Sequence, residues 1–200
     1  MRLLAISGSP RNGGNTECLL ERSVAGAQSV GAVVEQVALN RLRIGPCMEC
    51  NRCYASGRCV VEDDFQLLCD KALIADGVIL AAPIFFMNVC AQAKAFVDRF
   101  QCLWALRYVL GQSVPLPPSG LRRRVAFLST AGWQKTKFDC ALTVVRAFSA
   151  TIDAKLVGSV CINGVDAIQD IEKHPEALDQ AFALGQELAT WPVSQPLTGD

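Results

Sequence analysis

The sequence predicts an α/β fold: an open, doubly wound, three-layer sheet of five parallel strands in the order 2-1-3-4-5, covered by helices on both faces. Three observations predict it. Short apolar runs alternate with longer amphipathic stretches along the 200 residues, a repeating strand–helix pattern rather than separate blocks of each. Several runs, GVILAA at 77–82 above all, are apolar on both faces, as strands of a covered parallel sheet are. The chain has the length of one domain, and 51% hydrophobic against 19% charged residues is enough for one core.

Arg2 to Ser7 reads as the first strand, and Thr16 to Val30 as a helix with Cys18, Leu19, Leu20 and Val24 on its apolar side. Ala32 to Leu39 follows as the second strand, and a Gly-, Pro- and Cys-rich insertion occupies Arg43 to Asp64. Phe65 to Ala75 reads as a helix, and Gly77 to Ala82 as the third strand, stopped by Pro83. Val89 to Leu110 is the longest helical pattern, closed by Gly111 and the loop Pro115-Leu116-Pro117-Pro118. Arg124 to Thr130 is a strand, Phe138 to Ala150 a helix, Lys155 to Asn163 the fifth strand and Pro175 to Thr190 the last helix. Residues 1–190 are thus expected to form a single domain, followed by a polar, frayed tail at 191–200. Sheets of this kind bind ligands at the carboxyl ends of their strands, so the informative residues are those just after each strand.

The loop Ser7-Gly8-Ser9-Pro10-Arg11-Asn12-Gly13-Gly14-Asn15-Thr16 joins the first strand to the first helix. A helix N-terminus favours an anion through its unpaired N–H groups and its dipole. Three glycines let the backbone close around a phosphate, while Ser9, Arg11, Asn15 and Thr16 add donors. No Gly-Lys-Ser/Thr is present and the glycines do not space as G-x-G-x-x-G, so neither a triphosphate loop nor a dinucleotide fingerprint is read here. The pattern suits a terminal monophosphate, with a capped polar turn as the plain alternative.

Composition narrows the class further. Nineteen basic and nineteen acidic residues cancel, which argues against nucleic acid or an anionic membrane as the main partner. No apolar run approaches the length of a membrane span, and no secretory signal is read at the start. Ten cysteines are the outlier. A disulfide scaffold is disfavoured by the chain's size and ample core, so a cytoplasmic, reducing location is expected.

Four of the ten form Cys47-x2-Cys50-x2-Cys53-x5-Cys59. Three thiolates at this spacing wrap one compact centre and a fourth closes it, which suits iron–sulfur and, less well, zinc. Without metal they would be free thiols or redox-sensitive disulfides. Cys18, Cys69, Cys90, Cys102, Cys140 and Cys161 are assigned to the core or its edge. His174, the single histidine, is expected at the surface, so His-centred triads and multi-His metal sites are nearly excluded. Arg122-Arg123-Arg124 reads as a solvated charge run, with contact to an NADP phosphate as the lesser reading.

The G-S-P-R-x-x-G-N-T pattern after the first strand resembles that of the flavodoxin-like NAD(P)H-dependent FMN reductases. Ala82-Pro83-Ile84-Phe85-Phe86 and Ala91-Gln92-Ala93-Lys94-Ala95-Phe96-Val97-Asp98-Arg99 agree with it, as does Ser129-Thr130-Ala131-Gly132-Trp133 after the fourth strand. Phe85 stands where that family commonly has Tyr, removing a hydroxyl near the flavin. The resemblance implies FMN, with its phosphate on Ser9 to Thr16 and its ring between Pro83, Ile84, Phe85, Phe86 and Asn88 on one side and Thr130, Ala131, Gly132 and Trp133 on the other. The cysteine run resembles that of the iron–sulfur flavoprotein branch, which implies a [4Fe–4S] cluster on Cys47, Cys50, Cys53 and Cys59. The implied activity is FMN-dependent oxidoreduction in which a cluster and FMN exchange electrons. Alternatives are a cluster-free NAD(P)H-dependent FMN or quinone reductase and a non-enzymatic carrier serving ferredoxin-like partners. A homodimer or homotetramer is implied by the resemblance alone.

Overall fold

The computed structural model describes residues 1–190, and the expected tail lies outside the described residues. Strands β1 (Arg2–Ser7), β2 (Val33–Ala38), β3 (Gly77–Ala81), β6 (Arg123–Ala131) and β7 (Ala154–Asn163) form the sheet; β4 (Ile84–Phe85) and β5 (Asn88–Val89) form a small separate hairpin. The order is β2-β1-β3-β6-β7 with every neighbour parallel. Setting the hairpin aside, this is the flavodoxin-like 2-1-3-4-5 topology that the alternating pattern predicts.

Alternation along the central strands feeds two cores. Leu4 and Ile6 of β1, Val78 and Leu80 of β3, and Val125 and Phe127 of β6 join one cluster. Leu3 and Ala5, Ile79 and Ala81, and Ala126 and Leu128 join the other. Helices α2 (Phe65–Ile74), α3 (Ala91–Arg99), α4 (Gln101–Tyr108) and α5 (Asp139–Thr151) cover the first cluster. Helices α1 (Asn15–Ser29) and α6 (Pro175–Thr190) cover the second. They approach so closely that a Cβ at Gly26 would lie 2.0 Å from the Phe182 carbonyl oxygen, and one at Gly185 1.9 Å from that of Ser23.

The single helix expected over 89–110 is two helices and part of the hairpin. Asn88 and Val89 pair with Phe85 and Ile84, and Phe100 (φ −70°, ψ 1°) ends α3 before α4 begins. The Phe100 ring explains the break. It packs edge-on against Phe65, Phe96 and Phe148 at centroid distances of 5.2, 5.0 and 5.0 Å, and such contacts favour one ring placement over continued helix.

The arginine run is not a solvated face. Arg122 pairs with Asp153 at 3.5 Å and is exposed, but Arg123 and Arg124 are buried. Arg123 donates to the carbonyls of Ala72 and Leu73 at the end of α2, of Ile152 at the end of α5, and of Pro115. Arg124 donates to the Leu188 carbonyl in the last turn of α6. Adjacent residues of β6 point to opposite faces, so the two guanidinium groups serve orphan carbonyls at helix C-termini in both helical layers. Burial lowers both pKa values from the ordinary arginine range. Arg123→Met is expected to cost about 3 kcal/mol of stability in urea unfolding. Arg122→Met should stay within about 0.5 kcal/mol of wild type.

Candidate functional site

The carboxyl ends of β1, β3 and β6 open on a cavity of about 220 Å³. The α1 N-terminus points into it by construction: Gly14 occupies the N-cap position, and no side chain caps the helix. The first N–H groups of a helix have no intrahelical acceptor. Gly13 adopts φ +64°, and its N–H is held by Glu17, which curls the loop over the helix start. Below it, Gly8 lies so near α3 that a Cβ would meet Ala93 Cβ at 2.9 Å, and the buried Cys90 thiol donates to the Gly8 carbonyl. The loop is therefore fixed to the sheet before any ligand arrives.

Of the predicted residues, Ser9, Arg11, Asn15 and Thr16 line this cavity, as do Pro83, Ile84, Phe85, Thr130, Ala131 and Gly132. Phe86, Asn88 and Trp133 do not. Phe86 and Met87 form the tip of the β4–β5 hairpin with φ 48° and 66°, and Phe86 is fully exposed. Asn88 turns its Oδ1 to the Val89 N–H, and Trp133 is exposed on the rim. Asn15 lines the cavity, but its side chain is occupied elsewhere: Nδ2 donates to the Ala167 carbonyl and Oδ1 accepts from Ile171 N–H. It ties the loop after β7 to the helix start, so its backbone N–H is what faces an anion. Thr16 and Thr130 share a hydroxyl–hydroxyl hydrogen bond across the cavity floor.

The lining also includes Val165 and Asp166, which the sequence pattern did not single out. Both follow β7, the one strand end given no ligand role, although the same carboxyl-end rule points there. Asp166 and Arg11 are the cavity's charged residues, and Arg11 Nη1 donates to the Asp166 carbonyl at 2.9 Å. A flat, amphipathic ring carried by a phosphate fits this donor set. The uncapped helix end meets the phosphate, and the apolar edge at Ile84, Phe85 and Ala131 meets the ring.

A second, smaller cavity of about 20 Å³ is lined by Cys47, Cys50, Cys53 and Cys59 together with Arg99 and Cys102. Its wall is the predicted insertion, closed at its base where the Asp64 N–H donates to the Arg43 carbonyl and the Arg43 N–H donates to the Asp64 carboxylate. All ten thiols are free. Among the described residues, no three or more His, Cys, Asp or Glu are gathered into a finished metal site. The backbone is nevertheless held in an uncommon shape. Glu49 and Asn51, flanking Cys50, lie in the left-handed region at φ 51° and 56°, where non-glycine residues cluster at functional sites.

Arg99, the last residue of α3, ties this loop down. Its side chain is wholly buried and pairs with Asp63 at 2.6 and 3.2 Å, while also donating to the carbonyls of Gly45 and Val61. Burial would raise the Asp63 pKa, but Arg99 and the N–H groups of Gly45 and Phe65 hold it below the usual carboxylate range. Cys102 lies buried in the core, as expected. Its pKa is lowered by a hydrogen bond from the Cys69 thiol, against burial, with help from the Cys59 backbone N–H. Cys69 is raised correspondingly. Cys140, expected in the core or at its edge, is exposed on the first turn of α5.

An open parallel sheet with a monophosphate-type loop at its first strand end is the architecture of mononucleotide-binding flavodoxin-like proteins. Residues 1–166 match the profile of the NADPH-dependent FMN reductase family, and the chain belongs to that family of flavin oxidoreductases. An iron–sulfur flavoprotein of Methanocaldococcus jannaschii is 35% identical over 122 residues, covering 60% of this chain and 63% of that protein. The match therefore spans less than two-thirds of that relative. One from Archaeoglobus fulgidus is 35% identical over 190 residues, 94% of each chain. Among solved structures, a flavone reductase superposes with a TM-score of 0.70 at 22% identity, over 94% of this chain and 62% of that one, a likeness of fold. No helix among the described residues is long and apolar enough to cross a membrane.

Thr16→Val removes the hydroxyl link to Thr130 and a donor at the helix start. A hydrogen bond of this kind is worth about 1 kcal/mol, so FMN affinity, read by flavin fluorescence quenching, should fall roughly five- to tenfold.

Proposed function

We propose that this chain is an FMN-dependent oxidoreductase in which a [4Fe–4S] cluster on Cys47, Cys50, Cys53 and Cys59 exchanges electrons with FMN bound at the α1 N-terminus. The observation that carries it is the presence, on opposite ends of α3, of two cavities with different donor chemistry. The first offers hydroxyls and unpaired N–H groups, which suit a phosphate. The second offers four thiols, which suit iron–sulfur. The relatives named iron-sulfur flavoprotein support the same pairing.

When bound, FMN supplies two-electron hydride chemistry and the cluster one-electron transfer; the protein's residues do the rest. Ser9, Arg11, Thr16 and the backbone N–H of Asn15 hold the phosphate. Pro83, Ile84, Phe85, Thr130, Ala131 and Gly132 border the ring, and Phe85 offers no proton there. No side chain in the flavin cavity is placed as an obligatory acid or base, which suits hydride from NAD(P)H entering directly at the ring. The thiol cavity is lined by all four cysteines of the run, the donor set that an iron–sulfur cluster takes. Metal sites commonly assemble with their metal, and Arg99 anchors the base of this loop. Phe85, Phe86, Met87 and Trp133 leave an exposed apolar rim at the flavin cavity, which supports a homodimer or homotetramer covering it.

A cluster-free NAD(P)H-dependent reductase of flavin or a quinone is the second reading, favoured by the match to the NADPH-dependent FMN reductase family. Protein purified without oxygen is expected to carry FMN and about four irons and four sulfides per chain. Replacing any one of Cys47, Cys50, Cys53 or Cys59 by Ala should cost the iron and leave the FMN, whereas Cys140→Ala should keep both. Flavin absorbance without iron, with steady NAD(P)H oxidation, would instead favour the second reading.

A further inference from the structure

Resting on the cluster reading above, we infer that Arg99 positions and tunes the cysteine site by donating its Nε–H to a sulfur at Cys59. A guanidinium carries five N–H donors. Four of those on Arg99 are matched: Nη1 to the Gly45 carbonyl and Asp63 Oδ2 at 3.0 and 2.6 Å, and Nη2 to the Val61 carbonyl and Asp63 Oδ1 at 3.1 and 3.2 Å. The fifth, Nε–H, is buried without any partner. A buried donor left unpaired is costly and uncommon, most of all on a charged group. Arg99 also forms part of the wall of the thiol cavity. After Asp63, Cys59 is the side chain acting most strongly on its guanidinium.

The direction of the spare donor is fixed. The carboxylate of Asp63 grips the fork end, and the Phe65 ring covers the guanidinium face at 4.7 Å. The arginine is already committed to the loop's base and cannot swing to solvent, so the remaining N–H serves whatever fills the cavity. Sulfur bearing negative charge is what four cysteines around a cluster present there. Hydrogen bonds to sulfur are among the features that set a cluster's reduction potential. The bond strengthens as the cluster gains an electron, so it favours the reduced state and raises the potential. Lysine at this position would keep the charge and reach Asp63, but it lacks the rigid planar fork that aims a separate donor.

The test uses the cluster-loaded, FMN-bound protein under anaerobic conditions. The midpoint potential of the cluster is followed by EPR in wild type and Arg99→Lys, with iron and flavin content measured alongside. Pulsed EPR of the reduced cluster, in protein labelled with 15N at the arginine guanidino nitrogens, compares wild type with the Arg52→Lys/Arg58→Lys variant, so that the wild-type coupling kept in both is assigned to Arg99. The expected result is an unchanged iron content in Arg99→Lys, a lower potential, and a 15N coupling in wild type that the Arg52→Lys/Arg58→Lys variant keeps. An unchanged potential in loaded Arg99→Lys, or no 15N coupling kept in both wild type and that double variant, overturns the inference. A lowered potential without coupling marks a charge effect and also overturns it. If Arg99→Lys does not fold, the wild-type coupling decides alone. Wild type that takes up no iron instead refutes the cluster reading itself, and this inference with it.

Discussion

The buried guanidinium of Arg99 is the constraint from which the functional half of the molecule follows. A charge without solvent must be neutralised and hydrogen-bonded or it unfolds its surroundings. The partners that do so here all come from one segment: Asp63, Gly45 and Val61. They bind to α3 a cysteine-rich stretch with little regular structure beyond one short turn at Arg52–Ala55, whose Ile44, Cys53 and Cys59 also pack on the core. Against α4 a second tie is close packing: a Cβ at Gly57 would meet Leu106 at 2.5 Å. The loop is held at its base and sides while its cysteine tips stay at or near the surface.

Helix α3 then relates the two cavities. Its start packs beneath the phosphate-type loop through Cys90 and Ala93, and its last residue anchors the cysteine loop. Nine residues at the usual helical rise span roughly 12 Å. A rigid element of that length fixes the separation of the two cavities more firmly than loops could. Left-handed backbone at non-glycine residues falls at both ends of this axis, at Phe86 and Met87 beside the first cavity and at Glu49 and Asn51 in the second. Both sites thus hold conformations that the surrounding fold has to impose.

How much of this was legible in the sequence depends on whether the signal was local. Strand order, the phosphate-type loop and ten of the thirteen predicted flavin-side residues follow from patterns contained within one strand–loop–helix unit. The failures are tertiary. Phe100 breaks a helix because Phe65 and Phe148, far away in sequence, receive its ring. Arg123 and Arg124 look like a charged surface until helix ends on both faces are placed beside β6. The Arg99–Asp63 pair spans 36 residues, and neither residue is unusual in its own neighbourhood. Phe86 and Trp133, which the resemblance places at the ring, stand exposed beside the cavity rather than in its lining.

The central claim is that one fold holds two redox centres in electronic contact. It is tested most directly by mixing oxidised, cluster-loaded protein anaerobically with NADH or NADPH and freezing samples at successive times. Flavin absorbance and the EPR signal of the reduced cluster are then followed together. The account predicts that the flavin bleaches first and that the cluster signal then grows as reduced flavin is consumed. Complete flavin reduction with no cluster signal at any time would contradict it.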